Sequence, residues 1–389
     1  MTVLASSANP EVLRWARERA GYSVQEIATA LNKDVSLIQG WESSDSGEVP
    51  TYAQLEMLAY RYYKRPLALF FFPAPPDEVE PRQSFRTLPD AEIDRLLPDT
   101  LHVIRMARAM QIALMELNDG VNPALRRIFE DMQPTPDASV GKLTTQVRDY
   151  LSVELEQQVN CRTAEDAFKL WRDAVQQAGI FVFKQPLKQE DVSGFCLLHD
   201  EFPVIYVNNS TPATRQIFTL FHELSHILLR TNGITKQDDT YLRHLSGYNR
   251  DVEVFCNQFA AEFLVPSADF ERHIVGTRVW NERAITKVAD RYNVSREVIL
   301  RKLLDRGLVE QDYYEVKSRE WAGQSGKRGK GGDYYLNQIT YLGDKYLELA
   351  FGRYYAGRCS LESLSDYLNV AAKSIVTLEA YLEGRGSSG

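Results

Sequence analysis

The sequence is short of paired cysteines, of net positive charge and of long apolar runs. Its four cysteines, Cys161, Cys196, Cys256 and Cys359, include no CxxC pair. That excludes a thiolate zinc finger, supplies no disulfide framework and fits a reducing compartment. The 45 Lys/Arg stand against 53 Asp/Glu, a formal net charge of −8. An acidic whole is not a general nucleic-acid binder, although one of its domains can still be one. No apolar run approaches the length of about 18 residues that a spanning helix needs. The opening stretch, MTVLASSANPEVLRWARERAG, lacks a charged region followed by an apolar one, so it does not read as a secretory signal. The expectation is a soluble, cytoplasmic protein.

What the chain has is 389 residues, 44% hydrophobic and 25% charged, enough for two to three domains with sizeable cores. The pattern is α+β and predominantly helical. A helical block closes at Pro66 and the run Phe70-Phe71-Phe72-Pro73-Ala74-Pro75-Pro76, which cannot continue a helix. The expected domains are residues 1–76, a helical linker region 77–165, a core domain 166–318 and a C-terminal helical domain 333–383. Trp321 to Gly332 is Gly-rich and basic and reads as a mobile linker. The tail Gly384 to Gly389 reads as disordered.

Within the core domain the period changes. Residues 179–183, 192–198 and 203–207 are short β-branched and aromatic runs, read as three strands. Helices follow, from Pro212 to about Leu229, from about Asn249 to Leu264, and over 282–306. The third strand is expected at the sheet edge beside a cleft, where a peptide could add by backbone hydrogen bonds. Tyr206, Asn208 and Asn209 are then candidate substrate contacts, or ordinary polar residues at a strand end.

The chemistry concentrates at His222-Glu223-Leu224-Ser225-His226. With six histidines in the chain, chance produces an H-acid-xx-H pattern only about 0.01 times. On a helix, His222 and His226 share a face and can hold one zinc ion. Glu223 is then placed to hold a water and take its proton. A Gly and a third His further along the HExxH pattern are missing, because Leu229 and Asn232 stand there. The third ligand must therefore come from another element. The helix that begins near Asn249 offers Glu253, with Asn257 one turn on to orient a ligand. An acid in a first turn is also favoured by the helix dipole alone. Glu262 lies half a turn round from Glu253 and reads as a surface or structural acid. Phe255, Phe259 and Phe263 make a packing stripe. His199, His244 and His273 could stabilise an oxyanion in principle, yet each alone is more often a surface histidine, and none is assigned.

The run Phe218 to Leu229, followed by the ExxCN-x-FAAEFLVP helix, resembles the ImmA/IrrE family of metallopeptidases. The resemblance covers roughly residues 165–310. It departs at Phe221 and Ser225, where many relatives carry a small residue and Gly. It implies a small zincin-like core, a zinc ion, and cleavage of a regulatory protein such as a repressor or antitoxin.

Near the N-terminus, Tyr22 to Glu42 resembles the Cro/repressor (XRE) helix-turn-helix. Ser23 and Glu26 form a capping box, Ile27, Leu31, Ile38 and Trp41 supply the core, and Asn32 takes the turn. Gln25, Ser36 and Gln39 could read base edges of double-stranded DNA. Residues 9–76 carry seven Lys/Arg and eight Asp/Glu, however, and Val35 to Glu42 has no basic side chain. Docking of a protein partner is the equal alternative. Ala284 to Leu304 and Leu361 to Leu378 share the pattern without supporting DNA binding. The leading reading is a zinc endopeptidase joined to a DNA- or partner-binding module. The rival is a non-enzymatic transcription regulator or antitoxin-like protein that uses the zincin fold as a sensor or scaffold.

Overall fold

The computed structural model describes residues 3–86, 88–236, 240–277, 279–324 and 332–386. The chain is α+β and predominantly helical, and it divides into two compact units. One comprises Met1–Ser84 with Asp90–Met106, the other Phe85–Pro89 with Ala107–Gly389.

In the first unit, Asn9 caps the helix Pro10–Arg19, whose first residue is proline, as a pre-set φ favours. Ser23 and Glu26 close a reciprocal capping box on the helix Val24–Leu31. Asn32 then turns the chain through the left-handed region at φ 51°, and Val35–Trp41 follows. Asparagine tolerates that conformation because its short side chain hydrogen-bonds locally. Val12, Leu13, Ala16, Ile27, Ala28, Ile38 and Trp41 are buried together, and Leu31 packs at the margin. Inside this unit Arg17 makes a two-pronged pair with Glu42, Nε to Oε1 at 2.7 Å and Nη2 to Oε2 at 2.8 Å.

The second unit is built on one mixed sheet, in the order β1 (Phe181–Gln185), β3 (Val204–Asn208), β2 (Val192–Leu197), β4 (Gly233–Lys236). β1 runs parallel to β3, and both other pairings are antiparallel. The expected edge position of the third strand is therefore wrong. β3 lies between β1 and β2, and the edges belong to β1 and β4. β4 is only four residues long, too short to show an alternating pattern in the sequence.

The sheet is covered on both faces, so β2, β3 and β4 are buried throughout and β1 at all but its two end residues. Val182, Cys196, Ile205 and Val207 join the large core shared with the helices Ala164–Gln177, Ala213–Leu228 and Gly247–Leu264. On the other face Phe195 stacks on Tyr206 at 5.2 Å, and Phe183 meets Tyr206 and Tyr346, each at 5.3 Å. Tyr346 arrives from the C-terminal helices, which begin with Tyr334–Leu342 and Asp344–Tyr355. Buried Arg172 ties those helices down. Its guanidinium donates to the carbonyls of Thr340, Tyr341 and Leu342, and its Nε to Val182. Gly343, at φ 84°, lets the chain turn over it, since a Cβ there would lie 2.4 Å from Arg172 Nη2.

Two boundaries differ from expectation. A helix runs over Gln311–Gln324 and buries Trp321, so the linker reading fails as far as residue 324. Residues 325–331 lie outside the described residues. A helix also occupies Ile375–Gly386, which corrects the tail reading up to Gly386, and residues 387–389 lie outside. Among the described residues no helix is long and apolar enough to cross a membrane.

Candidate metal centre

The motif helix Ala213–Leu228 turns its apolar face into the core. Phe221 stacks on Phe263 at 4.1 Å, and Trp171 meets both rings edge-on. This packing clamps the motif helix to the Glu253 helix, Gly247–Leu264. Phe255, Phe259 and Phe263 are all buried in that contact, as their four-residue spacing predicts.

His222, His226 and Glu253 converge on one point, with Glu223 close by on the same helix as the two histidines. The two Nε2 atoms lie 3.1 Å apart, and Glu253 oxygens lie 3.4 Å from each of them. A tetrahedral zinc with bonds of about 2.0–2.2 Å sets its donors about 3.3–3.6 Å apart. Both Glu253 contacts fall in that range and the Nε2 pair at 3.1 Å lies just short of it, so the three side chains fit one ion after a small parting of the imidazoles.

The tautomers agree with that fit. Asn257 Oδ1 lies 3.0 Å from His222 Nδ1 and can only accept, so Nδ1 carries the hydrogen. Thr231 Oγ1 donates to the His226 carbonyl and accepts from His226 Nδ1 at 3.1 Å. Each Nε2 then faces the centre, where a cation can take the place of a proton and meet the lone pair.

Electrostatics points the same way. Burial pushes the Glu253 carboxyl up, but the charge of His226 and hydrogen bonds from both imidazoles outweigh it and hold it well below its usual range. Burial pushes His226 down, yet Cys256 and Glu253 pull it well above the ordinary imidazole value. The donor set calls for positive charge, and a divalent cation meets that demand.

Strand β4 holds the catalytic candidate. Thr235 Oγ1 donates to Glu223 Oε1, while Glu223 Oε2 is buried with no hydrogen-bond partner. Gly233 lets the strand lie directly over the site. A Cβ there would stand 2.4 Å from His226 Cδ2 and 2.8 Å from Glu223 Oε2. Left-handed Arg230, at φ 57°, ends the motif helix, and the Thr231 amide closes on the His226 carbonyl at 2.9 Å. This tight reversal brings Thr231, Gly233 and Thr235 back to the residues they serve.

Two buried thiols border the centre, and sequence reasoning gave neither a role. Cys256 offers its sulfur to the same group as His222 and His226, with one donor atom from each lying within 4.8 Å of the others. Cys196 Sγ accepts from the Gly233 amide at 3.3 Å, and burial together with Glu223 pushes its thiol well up.

Other candidates lie elsewhere. Glu262 accepts from the Ser267 amide and hydroxyl and from Lys302 Nζ at 2.7 Å, a structural role. Tyr206 is buried in the aromatic stack. Asn208 is buried and staples loops, accepting from Leu187 and Ser210 and donating to the Val192 carbonyl. Asn209 is half-buried and hydrogen-bonds Tyr341. His199 caps a turn by accepting from Glu201 and Phe202, His273 bonds the Asp269 carbonyl, and His244 is exposed. Gln25, Ser36 and Gln39 are exposed on the two helices that flank Asn32.

Replacing Asn257 with alanine should leave His222 free to rotate. The expected result is zinc binding weakened by about 10–100-fold, read by competition with a chromophoric chelator. Unchanged affinity would remove Asn257 from the site.

No curated protein matches this chain. Residues 175–304, which carry His222, Glu223, His226, Glu253 and Cys256, match the peptidase M78 family, the IrrE N-terminal-like domain, and that match supports the ImmA/IrrE family and a metallopeptidase-like function for this part of the chain.

Proposed function

We propose that the chain is a zinc-dependent endopeptidase that cleaves a regulatory protein partner of the repressor or antitoxin kind. The observation that carries this reading is the convergence of two Nε2 atoms and one carboxylate at zinc spacing, with Glu223 alongside. His222, His226 and Glu253 would hold the ion. Zinc supplies Lewis acidity, which polarises a peptide carbonyl and makes water acidic enough to attack near neutral pH. Glu223 orients the attacking water and takes its proton, then passes that proton to the departing amine. Thr235 holds the carboxylate through Oε1, and Oε2, buried without a hydrogen-bond partner, would take the water's proton once the site is open. Residues 1–76 would serve as a Cro/repressor-type module that brings the peptidase to double-stranded DNA or to its protein substrate.

Elemental analysis of the purified protein tests the site. One zinc per chain is expected, lost in Glu253→Ala and kept in Glu262→Ala. Glu223→Gln should retain zinc and lower hydrolysis of an unbiased peptide library by about 10²–10⁴-fold. A fully active Glu223→Gln protein would overturn the mechanism.

One observation favours the second reading, a non-enzymatic regulator with a zincin scaffold. None of His222, Glu223, His226 and Glu253 is more than 1% exposed. Protein that binds zinc stoichiometrically, yet cleaves nothing in the library and binds operator-like DNA as a His222→Ala variant, would decide for it.

A further inference from the structure

We propose that Cys256 is a fourth protein ligand to the metal, so that in this conformation the centre is closed by the chain itself. The inference rests on the metal reading above and deepens it.

Cys256 follows Glu253 by three residues on one helix, and residues so spaced present neighbouring side chains. Its sulfur, with one donor from each of His222 and His226, forms a group in which all atoms lie within 4.8 Å of one another. Glu253 brings Oε2 to 3.4 Å from His222 Nε2 and Oε1 to 3.4 Å from His226 Nε2, so the side chains gathered here number four: two imidazoles, one carboxylate and one thiol. Four protein ligands define a closed zinc site, whereas a catalytic one keeps a position open.

Burial agrees with closure. Cys256, Glu223, His226 and Glu253 expose nothing, and His222 only 1%. Glu223 Oε2 is also buried without a hydrogen-bond partner, beside the His226 ring and under Gly233. An acid so enclosed has no route to a substrate while the four donors stay together. Coordination exchanges the S–H bond of Cys256 for a sulfur–metal bond and releases one proton to solvent; no electrons move. Withdrawal of Cys256 would open the fourth position that Glu223 needs. The competing account is a small apolar thiol that merely fills space against the motif helix.

Cobalt(II) added to metal-free full-length protein separates the two. Thiolate ligation gives a sulfur-to-cobalt charge-transfer band in the near ultraviolet, which nitrogen and oxygen donors do not. The band is expected in the wild type and in Cys196→Ala, whose sulfur is engaged with the Gly233 amide. It is expected to vanish in Cys256→Ala and Cys256→Ser while one cobalt per chain still binds; the serine variant guards against a packing defect in the alanine one. Stoichiometric cobalt without the band, or a band that survives both Cys256 substitutions, overturns the proposal and leaves the peptidase reading intact. A wild type that takes up no cobalt overturns both.

Discussion

Glu42→Ala should lower the stability of the N-terminal unit by about 3–5 kcal/mol, the usual cost of stripping one partner from a buried ion pair. Arg17 and Glu42 side chains are 9% and 6% exposed and joined by two parallel hydrogen bonds. Planar guanidinium and carboxylate match in this arrangement, and it is the stronger kind of charge-assisted contact. With Glu42 shortened, Arg17 keeps the Tyr22 carbonyl at 2.9 Å and largely exposed Glu18 at 3.4 Å, neither of which compensates a buried charge. The loss should show as faster amide hydrogen exchange across Pro10–Arg19 and Val35–Trp41, the two helices the pair connects. Replacing both residues with apolar ones of similar volume should recover most of it, because no charge is then stranded. A Glu42→Ala protein with unchanged exchange in these helices would show that solvent reaches Arg17 readily.

Gly233→Ala should damage the metal centre from outside the ligand set. One methyl group would overlap the His226 ring at 2.4–2.7 Å and Glu223 Oε2 at 2.8 Å. Neither neighbour can give easily. The His226 ring is fixed by Thr231 through Nδ1, and Glu223 by Thr235. Overpacking of this kind costs about 1–3 kcal/mol. Misaimed ligands should also weaken zinc by about 10–100-fold, as loss of a supporting hydrogen bond does. The expected result is a lower melting temperature of the metal-free protein together with a weaker zinc titration. Wild-type zinc affinity would mean that β4 simply lifts away, and that Gly233 has no part in holding the site.

The legible part of the site was the part written in helical periodicity. His222 and His226 are one turn apart, and so are Glu253 and Asn257. That spacing alone assigned each a place near the centre. The capping box at Ser23 and Glu26 and the turn at Asn32 were legible for a similar local reason. What failed was non-local. Strand order depends on which edges meet, so β3 is expected at an edge although β1 and β4 hold both edges. Thr231, Gly233 and Thr235 gain their roles only because left-handed Arg230 folds the chain back over its own helix. An Arg at positive φ is uncommon and carries no sequence signal. Cys256 sits beside the aromatic stripe and reads as one more small core residue. Trp321 is a further case. Its indole donates to Glu282, 39 residues away, and that contact continues a helix into a Gly-rich stretch.

The tether at Arg172 has a bearing on how the part that matches the peptidase family can be handled in isolation. The family match begins at residue 175, three positions past this arginine, and ends before the C-terminal helices that accept its hydrogen bonds. A fragment trimmed to residues 175–304 would retain all the proposed metal ligands and lose both ends of the tether. Phe183 and Tyr206 would be stripped of Tyr346 and turned to water as an aromatic patch. Such a fragment is an aggregation hazard, and an inactive preparation of it would say nothing about the chemistry of the full chain.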